Sequence, residues 1–408
     1  MKDANHSPLL QEVEKKYGRK VLSYTDCVHL SKAITYQTGF RLNVSTLRRF
    51  FGLVKVNYPP SPTTKDILSK FIGYHTYEHF QSLYQTEPTQ LESESSILLH
   101  YLETLFSQAL ATTYSDPTWL AIMRQTILFL DKHPQLIDGF QRAMAKSLVG
   151  QNVYFEEFIN IDQLNSYYGK GLRYYLTEKL TKEARIFSHS LLALRSFLSN
   201  DAKCLSIHYA EVMQQELDSS IHPFTCARYF STQLFFHQEN PEELYKVLFD
   251  ARTFYKEMIP PKDAFQSFPC FELVITEALI LIGQPLEALF YLREQKKKKS
   301  DYVPPTVDVQ LFKAFDLYEA IAFIMLGEEE KAKKAFRRVN AAEFYFLSRQ
   351  YQNVLYMIVE SVLFTGRTAL LNVQLDDLIQ RLGFSKLYGL FENIKVVNKK
   401  EQEISVLS

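Results

Sequence analysis

Apolar residues recur at helical spacing along most of the chain, and no segment alternates in the clean period-two pattern of a half-buried strand. Leu9, Leu10, Val13 and Tyr17 fall on one helix face, and Gly18 is placed to end that helix. Thr25 is the candidate cap of a second helix, with Cys27, Leu30 and Ile34 inward and Gly39 at its end. Asn43 or Ser45 would cap a third, in which Leu47, Phe50, Phe51 and Val54 follow the i, i+3, i+4, i+7 pattern. Thr63 or Thr64 would cap a fourth, with Ile67, Leu68, Phe71 and Ile72 apolar and Gly73 as its stop. Thr76 would cap a fifth around Phe80, Leu83 and Tyr84. Together these predict one small helical bundle over 1–84.

The stretch 85–96 (QTEPTQLESESS) is polar, contains a proline and reads as a linker. From residue 97 the helical patterns lengthen. Pro117 and Pro134 fit the first position of new helices. Further breaks are expected at Gly150–Asn152, Ser199–Asp201, His222–Pro223, Asn240–Pro241 and Pro260–Pro261. The Tyr167–Tyr168 and Tyr174–Tyr175 pairs sit inside helical periodicity. Two segments, LILIGQPLEALFYL (279–292) and FIMLGEEEKAKKAF (323–336), align around a glycine break. In both, a small Ala (Ala288, Ala332) is followed by a large residue (Leu292, Phe336), and Ala332, Ala335, Phe336 and Val339 make one apolar stripe. A further break is expected at Gly366.

Composition narrows the class. The 408 residues include 31 Phe, 25 Tyr and 1 Trp, ample surface for a core, which excludes disorder over most of the chain. Gly and Pro number only 13 and 15, too few for the many turns of an all-β protein of this length. The 46 basic and 46 acidic residues cancel overall but not locally. Residues 1–84 carry 12 Lys or Arg against 6 Asp or Glu, whereas the remainder carries 34 against 40. A basic head on an acidic body raises the prospect of nucleic-acid contact by the head. Cys27, Cys204, Cys226 and Cys270 form no CxxC pair and read as buried free thiols. Met1–Leu10 lacks an apolar leader segment, and the longest notable apolar run, Ala320–Leu326, is far short of the about 20 residues needed for a span. A cytoplasmic protein without membrane contact is expected.

The candidate chemistry lies in Leu30–Gly52 (LSKAITYQTGFRLNVSTLRRFFG), where a helix leads through a glycine turn to a shorter helix. This is the order of a helix-turn-helix, whose second helix can enter the DNA major groove. Ser45, Arg48, Arg49 and Gly52 lie opposite that helix's apolar face. A paired arginine beside a hydroxyl suits phosphate oxygens or guanine edges. Lys32, Arg41, Lys55 and Tyr58 could position the DNA backbone. The bland alternative is a solvated helix face. Elsewhere, Lys296–Lys299 reads as a solvated loop, and His75 with His79 lacks a metal-protease motif. Adjacent acids such as Asp376–Asp377 and Glu242–Glu243 point to different sides of a helix and suit acid–base catalysis poorly. No phosphate-cradling loop or nucleophile elbow occurs, so neither an enzyme nor a cofactor is expected.

Residues 25–84, and TTKDILSKFIGYHTYEHF (63–80) in particular, resemble the five-helix DNA-binding domain of phage Cro/C1-type repressors. The resemblance implies DNA contact by Ser45, Thr46, Arg48 and Arg49 on the recognition helix, across a longer elbow than the family has. The glycine-centred repeat resembles the helix–turn–helix unit of tetratricopeptide repeats. The expected architecture is all-α: a helix-turn-helix bundle (1–84), the linker (85–96) and an irregular tetratricopeptide-like α-solenoid (97–408). The combination resembles peptide-responsive repressors, which implies double-stranded DNA, a peptide or protein ligand of the body, and a homodimer. The rival expectation is a non-catalytic protein–protein interaction scaffold.

Overall fold

A computed structural model describes residues 8–54, 60–74, 76–78, 80, 88–107, 117–218, 221–258, 270–297, 313–364 and 368–394. The described residues are all-α, with no strand among them. The chain divides into two compact units, Met1–Leu98 and Leu99–Ser408.

The first unit contains α1 (Pro8–Tyr17), α2 (Tyr24–Thr38), α3 (Val44–Phe50) and α4 (Pro62–Phe71). Leu9, Val13, Leu30, Ile34, Leu47, Leu68, Phe71 and Phe80 meet in its core. Gly18, Gly39 and Gly73 end their helices as expected. The caps differ from expectation. Ser23, not Thr25, caps α2, because Ser23 and Asp26 form a reciprocal capping box. Ser61, not Thr63 or Thr64, caps α4, and Pro62 takes the first helical position. Asn43 caps α3 with its side-chain oxygen. The Ser31 hydroxyl donates to the Leu42 carbonyl at 2.6 Å in the core, tying α2 to the segment that launches α3. The expected fifth helix is described only in part. Tyr77 N–H donates to the Asp66 carboxylate at 2.7 Å, and Phe80 is buried. Leu83 and Tyr84 lie outside the described residues.

The polar stretch expected as a linker is helical from Pro88, where α5 (Pro88–Ser107) begins. The second unit continues with α6 (Pro117–Leu130) and α7 (Pro134–Lys146), both starting at the expected prolines. The break expected at Gly150–Asn152 is instead a π-helical turn, Gly150–Glu157. Helix α8 (Tyr167–Glu178) buries Tyr168 and Tyr175. Its Gly169 has no room for a side chain: a Cβ would sit 2.1 Å from the Leu164 carbonyl oxygen.

Among the described residues five helical hairpins follow: α9 (Lys182–Leu198) with α10 (Ala202–Met213), α11 (Pro223–His237) with α12 (Pro241–Glu257), α13 (Phe271–Leu281) with α14 (Pro285–Lys297), α15 (Ala314–Met325) with α16 (Glu329–Phe336), and α17 (Arg349–Leu363) with α18 (Thr368–Leu382). The first helix of each hairpin packs on the first helix of the next. Their sequences show why. Every residue of α13 is buried, its Glu272 and Glu277 meeting Tyr255 and Arg228, whereas α12 buries only Leu244, Val247 and Ala251. Gly283 and Gly327 both sit at φ 74°, the left-handed conformation that lets the chain reverse between paired helices. Beside these turns Ala288 and Ala332 are wholly buried where the helices approach. The breaks at Pro260–Pro261 and Gly366 lie outside the described residues.

The body is tied together over long sequence distances. The Asp162 N–H donates to the Leu347 carbonyl, while its carboxylate accepts from the N–H groups of Gln350 and Tyr351, each at 2.9 Å. Asn165 donates to the Leu382 and Gly383 carbonyls at 2.9 and 3.1 Å. Cys27 and Cys226 are buried free thiols, but Cys204 and Cys270 are only half-buried. No helix among the described residues is long and apolar enough to cross a membrane.

Candidate nucleic-acid interface

Helix α3 is short because its ends are defined closely in sequence. Asn43 Oδ1 accepts from the Ser45 N–H at 3.0 Å and from the Ser45 hydroxyl at 3.1 Å. At the other end the helix stops at Phe50, and Gly52 turns at φ 69°. Seven residues give roughly 10 Å of helix. Leu47 is wholly buried and Phe51 nearly so, and together they seat the helix on the core. Val54, expected on the same face, lies beyond the helix end and is exposed. The long spacing from Ile34 to Leu47 arises because α2 runs on to Thr38 before the elbow begins.

Opposite Leu47, Ser45 and Arg49 are exposed, and so is Arg41 in the elbow. Neither Arg41 nor Arg49 has an ion-pair or hydrogen-bond partner among the described residues. Thr46 and Arg48 are half-buried. The Arg48 guanidinium lies 5.5 Å from the centre of the Tyr24 ring, which sets the last turn of α3 beside the first turn of α2. The candidate arginine pair is therefore split: Arg49 is in solvent and Arg48 rests on a ring. Lys55 and Tyr58 lie outside the described residues.

Reading α3 alone missed a wider charge pattern. No Asp or Glu occurs from Cys27 to Lys65, while Lys32, Arg41, Arg48, Arg49, Lys55 and Lys65 do. The two acids that bracket this run are engaged locally. Asp26 belongs to the α2 cap and pairs with Arg19 at 3.3 Å, and the Ser23 hydroxyl bond, first among the causes, holds its carboxyl below the usual range. Asp66 accepts the Tyr77 N–H. Exposed rings lie within the run: Tyr36 is 95% exposed, one helical turn from the exposed Lys32, and Phe40 carries the Lys70 ammonium 4.7 Å from its ring centre. Exposed guanidinium groups without a carboxylate partner can neutralise phosphates.

The other candidates are accounted for differently. Lys296 and Lys297 pair with Glu319 and Glu294 at 2.5 and 2.6 Å, and Lys298 and Lys299 lie outside the described residues. His75 and His79 also lie outside them. No group of three or more His, Cys, Asp or Glu able to hold a metal occurs among the described residues. Asp377 pairs with Arg381 at 2.8 Å, and Asp376 accepts from Gln380 at 2.9 Å.

No protein-family model, curated protein or solved structure matches the chain.

Proposed function

We propose that the chain is a DNA-binding transcriptional regulator. In this reading the head docks α3 and its elbow on double-stranded DNA, with Arg41 and Arg49 on phosphates and Ser45 and Thr46 close by. Arg48 contributes mainly by fixing α3 on α2, and Lys55, outside the described residues, adds basic charge to the same run of sequence. The observation that carries the reading is the acid-free run Cys27–Lys65, with Arg41 and Arg49 exposed and without partners among the described residues. The stacked hairpins of the body act as a tetratricopeptide-like solenoid that senses a ligand and joins two copies. A single short helix is a small footprint, so a dimer reading two half-sites is the economical arrangement.

Selection from a random duplex pool by the full-length protein tests this. Enrichment of a sequence, as two half-sites about 10 base pairs apart, is the expected result. Failure of the folded protein to retain any duplex at low salt would contradict the DNA reading and favour an interaction scaffold. A single enriched half-site would contradict the dimer.

A further inference from the structure

The strongest unexplained chemistry lies inside the body. Between α11, α13, α15 and the start of α17 is a cavity of about 60 Å³. It is lined by Phe224, Arg228, Glu277, Tyr318, Ser348 and Gln352, among others. By the space one water occupies, it has room for about four to six waters, or for one small organic molecule.

Its walls are chemically divided. Arg228 is only 5% exposed, and its Nη1 lies 3.2 Å from Glu277 Oε2. Its Nε and Nη1 nevertheless make no hydrogen bond among the described residues. Gln352 is also 5% exposed, and its Oε1 has no hydrogen-bond partner. Buried donors and acceptors without partners are costly, so a site that keeps them beside an open cavity is shaped for something that satisfies them. The unfilled groups are guanidinium donors on α11 and one amide acceptor on α17. The Tyr318 hydroxyl donates to Glu277 Oε1 at 3.3 Å, and the Arg228 guanidinium lies 5.4 Å from the Phe224 ring; the rest of the wall is mainly aliphatic, with Ile159, Ile161, Leu273 and Val274.

Charge balance narrows the ligand. Arg228 and Glu277 already neutralise each other. Glu157 adds a second carboxylate to the lining, so a lone buried anion would be repelled, whereas a zwitterion brings a cation with its carboxylate. Glu157, at the same cavity, is engaged in an interaction of its own.

We infer that this cavity binds a small free α-amino acid, its carboxylate on Arg228 and its ammonium on Gln352 Oε1. The guanidinium favours a carboxylate over a neutral carbonyl, because charge-assisted bonds are the stronger. The cavity's size suits the smallest amino acids. This assignment gives the body's sensing role a ligand class, but it stands on the body alone. Binding is read directly on the protein, so failure of the DNA reading and failure of this one are distinguishable.

The test is calorimetric titration of the full-length protein with each free α-amino acid, followed by the N-acetylated and carboxamide forms of any that bind. The same titrations are run on Gln352→Leu and on Arg228→Met/Glu277→Leu, with folding checked by circular dichroism. One or a few small amino acids should bind the wild type, and blocking either end should abolish binding. Gln352→Leu should weaken it about tenfold, the worth of one hydrogen bond. The double variant, which removes the ion pair as a unit, should lose it. Should the double variant not fold, Gln352→Leu decides, since it leaves the pair intact. No binding by the folded wild type, undiminished binding by Gln352→Leu, or equal binding of doubly blocked forms would each overturn the assignment.

Discussion

In the head, Arg41 and Arg49 pair with no carboxylate among the described residues, and α3 stands in a run of sequence without a single acid. In the body, several long basic side chains are tied to acids at short range. Arg252 grips Glu287 with two bonds at 2.8 and 3.0 Å, Arg338 bridges Asp316 and Glu319, and Arg142 and Lys170 share Asp138. The Lys170 bond, first among the causes, holds the Asp138 carboxyl well below the usual range. Such pairs add little stability at an exposed surface, but they leave little charge for a partner. The difference is one of setting: the exposed arginines of the head stand in a run of sequence without acids, whereas the basic groups of the body share their surface with an excess of acids.

The comparison is most severely tested where the body's charge is buried. Arg228→Ala should cost about 3–5 kcal/mol in urea unfolding, because it strands Glu277 in the core. Arg228→Met/Glu277→Leu should cost far less, and an equal loss in both would mean that packing rather than charge dominates there. In the head the corresponding vulnerability is apolar. Leu30→Ala empties a wholly buried position and should cost about 2–5 kcal/mol by thermal or urea unfolding.

The next effect is pH-dependent and confined to the body. Burial pushes the Asp162 carboxyl up to about 6, against the opposing N–H bonds from Gln350 and Tyr351 and the nearby Arg349. The folded state then holds a proton that the unfolded chain releases near pH 4. Stability from this group is full below pH 4 and is lost as pH rises to about 6, by up to about 3 kcal/mol. His208 works the other way. Burial, then the His189 ring at 3.1 Å between Nδ1 atoms, lowers it to about 4, so its contribution is full above pH 6.5 and is lost as pH falls towards 4. Unfolding titrations should lose the first slope in Asp162→Asn and the second in His208→Asn. Smaller still, Ser31→Ala should cost about 1 kcal/mol by loss of the bond to Leu42, and should weaken DNA binding by loosening the elbow.

Local features were the legible ones. The buried faces of α1 and α2 follow from Leu9, Leu10, Val13, Cys27, Leu30 and Ile34, because helical periodicity needs only neighbours in sequence. The hairpins at Gly283 and Gly327 were legible for the same reason. Cap positions slipped by a few residues where Ser23 with Asp26, and Ser61 with Pro62, outcompeted nearby threonines. Val54 was misplaced because periodicity does not register the stop at Gly52. The closure of the body was not legible. Asp162 meets Gln350 and Tyr351, and Asn165 meets Leu382, across intervals that no pattern in one sequence encodes. The cavity pair Arg228 and Gln352 was hidden for the same reason. The acid-free run was legible by simple counting, and it is a broader signal than the arginine pair.

The smallest expected change in stability accompanies the most direct test. Arg41→Ala/Arg49→Ala alters only exposed side chains and should leave unfolding within about 0.5 kcal/mol per site of the wild type. The decisive measurement is the dependence of duplex-DNA affinity on salt for wild type and this double variant. Affinity should fall steeply with salt for the wild type. The slope of log K against log salt should be about 2 units shallower in the variant, at about 0.9 for each phosphate no longer neutralised. A flat wild-type dependence, or an unchanged slope in the variant, would contradict the head as a DNA-binding surface.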